Sequence, residues 1–284
     1  MLKKSFIHLK GIGNKKERVI WGDNFYGWDS IIDKNNPNLS KKNIEDIYEE
    51  IAVSKKQLEL RNASYFYNLL PPKEQWRIFS EFKEDALFLD IETNGSNPES
   101  SIITTIATYD GKNIKHYVND NNLDEFANDI YDYKVLITYN GKCFDVPFIE
   151  RFFNIQIDHA QIDLRYILSS LGFKGGLKSC EAQLGISREE LQGVDGSFAI
   201  QLWNEYYYNG SQKALDSLLA YNIEDAVNLE FLMYFAYNSN LKKLDFLNNK
   251  KLKIPKRPQI QLYPDMKTIK RLKSIMDFHN YMEF

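Results

Sequence analysis

A chain of 284 residues with 43% hydrophobic and 26% charged side chains carries enough apolar material for one ordinary core plus a small appendage, which excludes disordered and fibrous proteins. No run approaches the ~18 consecutive apolar residues of a membrane span, and the start MLKKSFIHLKGIG lacks the apolar core of a signal peptide, so no membrane partner and a cytoplasmic location are expected. Two cysteines, Cys143 and Cys180, lie in no CxxC or Cys/His cluster, which excludes a disulfide framework and a zinc site and leaves oxygen ligands for any metal. The net charge of -3 conceals an asymmetry: between Leu241 and Ser274 stand Lys242, Lys243, Lys250, Lys251, Lys253, Lys256, Arg257, Lys267, Lys270, Arg271 and Lys273 against Asp245 and Asp265, so that stretch is +9 and the rest -12. A nucleic-acid-binding arm on an acidic body has this pattern, and so does a solvated polar tail.

In chain order, the first expected element is a helical N-terminal region, residues 1–83. In SKKNIEDIYEEIAVSKKQLELRNASYFYNLL the residues Ile44, Ile47, Tyr48, Ile51, Leu58, Leu60, Tyr65 and Leu69 fall mostly at three- and four-residue steps, and Pro71-Pro72 stops the helix. Before it, LKGIGNKKERVI resembles the hairpin of a helix-hairpin-helix motif, in which glycines let backbone N–H groups approach a phosphate. Gly11 and Gly13, with Lys15 and Lys16, are its candidate nucleic-acid contacts; Glu17 stands where that motif usually has a small residue, and a purely structural cap is the competing expectation. Trp21 and Trp28 are expected to anchor this unit to the body.

From Asp85 the period changes. DALFLDIE, SIITTIATYD and NIKHYV, the last two joined by an Asp110-Gly111 turn, imply three consecutive antiparallel strands. A helical stretch from Leu123 to Tyr133 precedes the buried strand KVLITYN and the helix DVPFIERFF, and the remainder, including LRYILSSLGF, LKSCEAQLG and SQKALDSLLAYNIEDAVNLEFLMYFAY, is mostly helical. Residues 84–239 thus read as an α/β body with one mixed sheet flanked by helices. In the tail, 240–284, Pro255 and Pro258 suggest extended chain, and MKTIKRLKSIMDF a basic amphipathic helix that lies along a nucleic-acid backbone, docks on a protein partner or packs on the body.

Three segments carry carboxylates in chemically suggestive places. Asp90 and Glu92 are two apart on an apolar strand, so both project from one side. Adjacent carboxylates are unfavourable unless a cation neutralises them, and hard oxygen ligands suit Mg²⁺ or Mn²⁺; an exposed edge pair is the plainer alternative. Asp145 stands where a helix begins after Tyr139-Asn140-Gly141, a place a helix dipole alone would favour. Tyr221 and Asp225 are four apart and share a helix face, with Leu218, Leu229 and Leu232 supplying the core stripe. Asp163, in QIDLRYIL, is another acid after an expected strand and is read as a structural or supporting residue.

Taken in order, DIET, YNGKCFD and YNIED resemble the three exonuclease motifs of the DEDD superfamily, in the variant whose third motif has a tyrosine four residues before the aspartate. More narrowly, the chain resembles the YprB-type ribonuclease H-like family from about Phe6 to Tyr237, including FIHLKGIGNKKERVIW and LPPKEQWRIFSEF. The resemblance implies a ribonuclease H-like fold with the four acids at one end of the sheet, two divalent cations, Mg²⁺ or Mn²⁺, and a 3′-to-5′ exonuclease acting on single-stranded DNA or RNA. It implies that Asp90 bridges both cations, that Glu92 and Asp225 hold the one carrying the nucleophile, that Asp145 supports the site, and that Tyr221 orients the attacking water. Thr93 and Asn94 are candidate contacts to the terminal nucleotide, and Asn140 and Phe144 to sugar and base, although Asn140 also suits a turn. A structure-selective endonuclease and a non-catalytic binding or scaffolding protein on the same fold are the rival readings.

Overall fold

The computed structural model describes residues 1–32, 41–188, 194–244 and 250–282. Ser40, the side chain of Ile44 and Asp245, which entered the sequence reading, lie outside the described residues. Among the described residues, five α-helices precede the sheet: α1 (Asn14–Gly22), α2 (Trp28–Ile32), α3 (Lys41–Glu59), α4 (Ala63–Leu69) and α5 (Phe79–Phe82). The single long helix suggested by the periodicity is broken between α3 and α4, where Arg61 takes a positive φ of 54° and Asn62 caps α4 by accepting from the Tyr65 N–H.

The sheet contains β1 (Ala86–Thr93), β2 (Ile103–Tyr109), β3 (Ile114–Val118), β4 (Val135–Thr138) and β5 (Ala160–Asp163) in the order β3-β2-β1-β4-β5. The first three strands are antiparallel neighbours, as the Asp110-Gly111 turn implied, and β4 and β5 add on parallel to β1. The Leu123–Tyr133 stretch forms not one helix but a short helix, α6 (Phe126–Asp129), between two 3-10 turns. Then come α7 (Asp145–Phe153), α8 (Leu164–Ser170), α9 (Leu177–Gln183), α10 (Gly196–Asn209), α11 (Gln212–Lys242) and α12 (Met266–Met282).

Period two in β1 sorts its side chains into two cores. Leu87, Leu89 and Ile91 pack with Phe126, Phe148 and Ile149 on the face covered by α6 and α7, whereas Phe88 belongs to the larger core of the opposite face with α11. Asp90 and Glu92 therefore leave β1 on the side of α11, which lies across β1 and β2. Because β4 and β5 run parallel to β1, their C-terminal turns open at the same end of the sheet as Asp90 and Glu92, where α/β proteins place their sites.

The tail packs on the body. Leu252 exchanges two backbone–side chain hydrogen bonds with Asn238, both 2.8 Å, Arg257 pairs with Glu224, and the Asp265 N–H donates to Ser217 Oγ at 2.9 Å, so residues 252–265 retrace α11 in reverse. Ile269 and Leu272 of α12 are buried, and Arg271 pairs with Glu205 of α10. No described helix is long and apolar enough to cross a membrane.

Candidate active site

Carboxylate oxygens of Asp90, Glu92 and Asp225 all lie within 4.8 Å of one another, with Glu92 and Asp225 buried and Asp90 half-buried. Two elements produce this. Strand β1 supplies the first two acids at its C-terminal end; α11 crosses that end and lowers Asp225 onto it from the fourth turn of an uninterrupted helix with no internal glycine or proline.

Asp145 reaches the same end from the other face. It is the first residue of α7, after Phe144 at the cap position, and its carboxylate accepts its own backbone N–H without being committed to the helix end. It turns instead to β1, where Oδ1 accepts the Ile91 N–H at 3.2 Å. The turn that delivers it depends on two residues: Asn140, at φ 69°, and Gly141, where a Cβ would stand 2.2 Å from Thr138 Oγ1. Asp163 closes the arrangement from β5, accepting the N–H groups of Asn140 (2.8 Å), Lys142 (3.3 Å) and Arg165 (3.0 Å).

Putting these groups together perturbs them strongly. Burial, then repulsion from Asp225, Asp145 and Glu92, holds the Asp90 carboxyl well above the usual carboxylate range. Burial and the Asp225 charge do the same to Glu92. Asp145 is pushed up to about 7, mainly by burial, against the opposing donation from the backbone N–H groups of Asp145 and Ile91. Such a site favours either bound protons or a bound cation. The donor set is all oxygen, with no His or Cys, which fits Mg²⁺ or Mn²⁺ and disfavours zinc.

Several residues at this centre had no part in the sequence reading. Asn222, fully buried, donates to Asp90 Oδ2 at 2.8 Å and to the Asp90 carbonyl at 3.1 Å, while its own oxygen accepts from Thr105 Oγ1 at 3.0 Å. Its signal was present, since it stands inside YNIED. Lys178 of α9 donates to the Tyr221 hydroxyl at 2.6 Å and to the Val194 carbonyl, with its ammonium 4.1 Å from the Tyr221 ring centre. Burial lowers the Lys178 pKa and raises that of Tyr221, which also faces Asp225, Glu92 and Asp90. Arg188 pairs with both Asp225 and Glu181. Nothing in LKSCEAQLGISR distinguishes these three charged residues from surface positions of an ordinary helix and loop.

The candidate substrate contacts are distributed unevenly. Thr93 donates to the Gly95 carbonyl at 2.6 Å, and Asn94 brackets the β1–β2 connection by accepting the Ile102 N–H at 2.8 Å. Asn140 accepts from Arg165 Nη1 at 2.6 Å, and Phe144 packs against Phe148 with the rings tilted by 49° and centroids 4.8 Å apart. Beside Asn140 a cavity of about 600 Å³ opens, lined by Tyr139, Arg165, Phe173, Lys174 and Gly175 among others. Gly11 and Gly13 are exposed, with open space where a Cβ would stand, and Lys15 and Lys16 are exposed on α1, with Lys16 donating to the Gly11 carbonyl at 2.9 Å. No described contact joins this unit to the acids. Glu17, the residue that departs from the helix-hairpin-helix pattern, points inward as the buried partner of Arg77, and the Trp21 and Trp28 indoles donate to the Lys4 and Ser5 carbonyls, which belong to the same N-terminal region and not to the α/β body.

A family model described as the RNase H superfamily matches residues 87–237, more than half of the chain and all four acids. No curated protein matches the chain by sequence. Among solved structures, the family B DNA polymerase of the hyperthermophilic archaeon Pyrobaculum calidifontis is similar at 17% identity and a TM-score of 0.41, covering 58% of this chain and 27% of the polymerase, so the chain spans about a quarter of that protein. Brucella melitensis NrnC is similar at 16% identity and a TM-score of 0.41, covering 72% of this chain and 91% of NrnC; its Mg²⁺-bound form is similar at 17% and 0.30, covering 61% and 92%.

Proposed function

From the premise that the chain belongs to the RNase H superfamily, we propose that it is a divalent-cation-dependent nuclease that trims single-stranded DNA or RNA from the 3′ end, in the manner of DEDD exonucleases with a tyrosine in the third motif. The observation that carries this reading is the meeting of Asp90, Glu92 and Asp225 within 4.8 Å, with Asp145 beside them and Tyr221 on the same helix face as Asp225. The motifs that brought these residues to notice are also those of the YprB-type family.

In this reading Asp90, Glu92 and Asp225 would hold the divalent cations, and Asp145 would support the site. When bound, Mg²⁺ or Mn²⁺ ions lower the pKa of the attacking water and stabilise the leaving 3′-oxygen. The chain's own residues do the rest. Asn222 fixes the Asp90 rotamer by donating to Oδ2, and the Ile91 N–H fixes Asp145. Lys178 holds the Tyr221 phenol by its oxygen, leaving the phenolic hydrogen to be directed at water or phosphate; the raised pKa of Tyr221 makes it an orienting donor and not a base. The cavity beside Asn140, with Tyr139 and Phe173 for stacking and Arg165 and Lys174 for phosphate, suits the strand that leads into the acids.

The test uses 5′-labelled single-stranded DNA and RNA with Mg²⁺, Mn²⁺ or chelator, and compares the protein with an Asp90→Asn, Glu92→Gln variant. A cation-dependent ladder that shortens from the 3′ end and is absent in the variant is expected. Internal cuts without a ladder would favour a structure-selective endonuclease, and strands bound but uncut with either ion would overturn the catalytic reading.

A further inference from the structure

A permanently charged side chain already sits on one of the cation-binding carboxylates. Arg188 is 8% exposed at its side chain, and its two terminal nitrogens go to different acids, Nη1 to Asp225 Oδ1 and Nη2 to Glu181 Oε1. Glu181 is itself held, since its Oε1 also accepts from Asn228 Nδ2 at 2.9 Å. Asn228, Glu181, Arg188 and Asp225 thus form a chain that runs from α11 through α9 and back to α11. A pair kept for stability alone would be expected to complete its bonds, because a buried unmet polar atom costs on the order of 1–3 kcal/mol. Here Arg188 Nε and Glu181 Oε2 are buried and find no partner among the described residues. What is satisfied is the line of contacts that ends on Asp225, from Asn228 through Glu181 Oε1 to the two terminal nitrogens of Arg188.

The charges explain why that contact matters. Among the described residues, Asp90, Glu92, Asp145 and Asp225 face two side-chain cations, Lys178 and Arg188; Lys178 spends its contact on the Tyr221 hydroxyl, and Arg188 touches a member of the acid cluster. A guanidinium bonded to Oδ1 orients the carboxylate and leaves Oδ2 free to bind elsewhere. The same guanidinium repels any divalent ion that Asp225 binds. We propose that Arg188 is a positioning residue that fixes Asp225 for the cation and, through its charge, sets the cation affinity low enough for ready exchange. This rests on the reading of the acids as a cation site.

The experiment is calorimetric titration of Mn²⁺ alone into the full chain, without nucleic acid, for wild type, Arg188→Lys, Arg188→Met and Arg188→Met with Glu181→Gln. Removing the charge is expected to tighten Mn²⁺ binding by roughly tenfold or more, the scale of one unit charge acting over a few ångströms in a partly screened medium. Arg188→Lys, which keeps the charge, is expected to stay within about threefold of wild type. The double variant removes the unpaired Glu181 along with Arg188 and decides the matter if the single variant does not fold; it too should bind tighter than wild type. Unchanged or weaker binding by the folded charge-loss variants overturns the proposal and leaves the nuclease reading intact. Absence of Mn²⁺ binding by every protein, wild type included, overturns both.

Discussion

Arg77 and Arg188 are both buried beside carboxylates, yet they are held in opposite ways. Arg77 is 3% exposed and its partner Glu17 1%. Its Nη1 donates to Glu17 at 2.8 and 3.0 Å and to Ser5 Oγ at 2.9 Å, its Nε donates to Glu74 at 2.9 Å, and Trp21 and Trp76 each present a ring centre at 5.6 Å. Glu17 in turn accepts the Phe6 and Ile7 N–H groups at 2.7 and 3.1 Å. This network closes on itself and joins the N-terminal unit to the turn before the sheet. The Arg188 network leaves atoms unmet and ends on an acid that crowds other acids. A buried pair whose bonds are complete has a structural task, whereas one left incomplete in an excess of like charge is set up to meet something else.

The sharpest break of this comparison is expected at Arg77. Arg77→Met strands the Glu17 charge among apolar side chains and should destabilise the fold by about 3–5 kcal/mol in chemical denaturation, with hydrolysis by the surviving folded fraction unchanged. A loss under 1 kcal/mol would mean that the Arg77 network has no structural task.

Asp90→Asn should act in the opposite sense: hydrolysis falling by on the order of a hundredfold or more, with stability in chelator equal to or above wild type, because a repelling buried charge has gone. A destabilised Asp90→Asn protein would show that the cluster supports the fold.

The acid end should also make the cation-free protein sensitive to pH. Asp145 titrates at about 7 in the folded chain against a usual value near 4, so the folded form holds the proton more tightly. The stability this contributes is present below pH 4 and is lost as pH rises through about 7. Melting temperature in chelator should therefore fall between pH 4 and pH 8, Asp145→Asn should flatten that slope, and Mg²⁺ at a hundred times its Kd should restore about 2.7 kcal/mol at pH 8. A flat profile in chelator would mean the acids are solvated.

The smallest expected effect is at Thr105→Val, which removes the donor to Asn222 and should cost about 1 kcal/mol of stability while lowering hydrolysis only severalfold. Equal effects on both would place Asn222 with the structural network and not with Asp90.

How much of this was legible beforehand varies by residue. The strand DALFLDIE, the Asp110-Gly111 hairpin and the helix DVPFIERFF follow from period and turn chemistry, and each formed where its pattern lay. The break between α3 and α4 was missed because Arg61 has no sequence mark for the positive φ it adopts. Asp90, Glu92 and Asp225 drew notice because their partners in the motif are local, at spacings of two or four residues, and Asp145 because it opens a helix after a turn. Lys178, Glu181 and Arg188 were not, because a lysine or arginine reads as solvated surface until its neighbours in space are known.

By itself, then, the sequence determined the faces: alternation in β1 put Asp90 and Glu92 on one side, and helical spacing put Tyr221 with Asp225. Only the tertiary structure decided which charges meet. Parallel pairing of β4 with β1 brought Asp145 to the Ile91 N–H, and the packing of α9 beside α11 brought Lys178 and Arg188 to Tyr221 and Asp225 across 43 and 37 residues of chain. The reason is one of range. Backbone geometry fixes direction over a few residues, but electrostatic partners are set by whatever the hydrophobic core carries into contact.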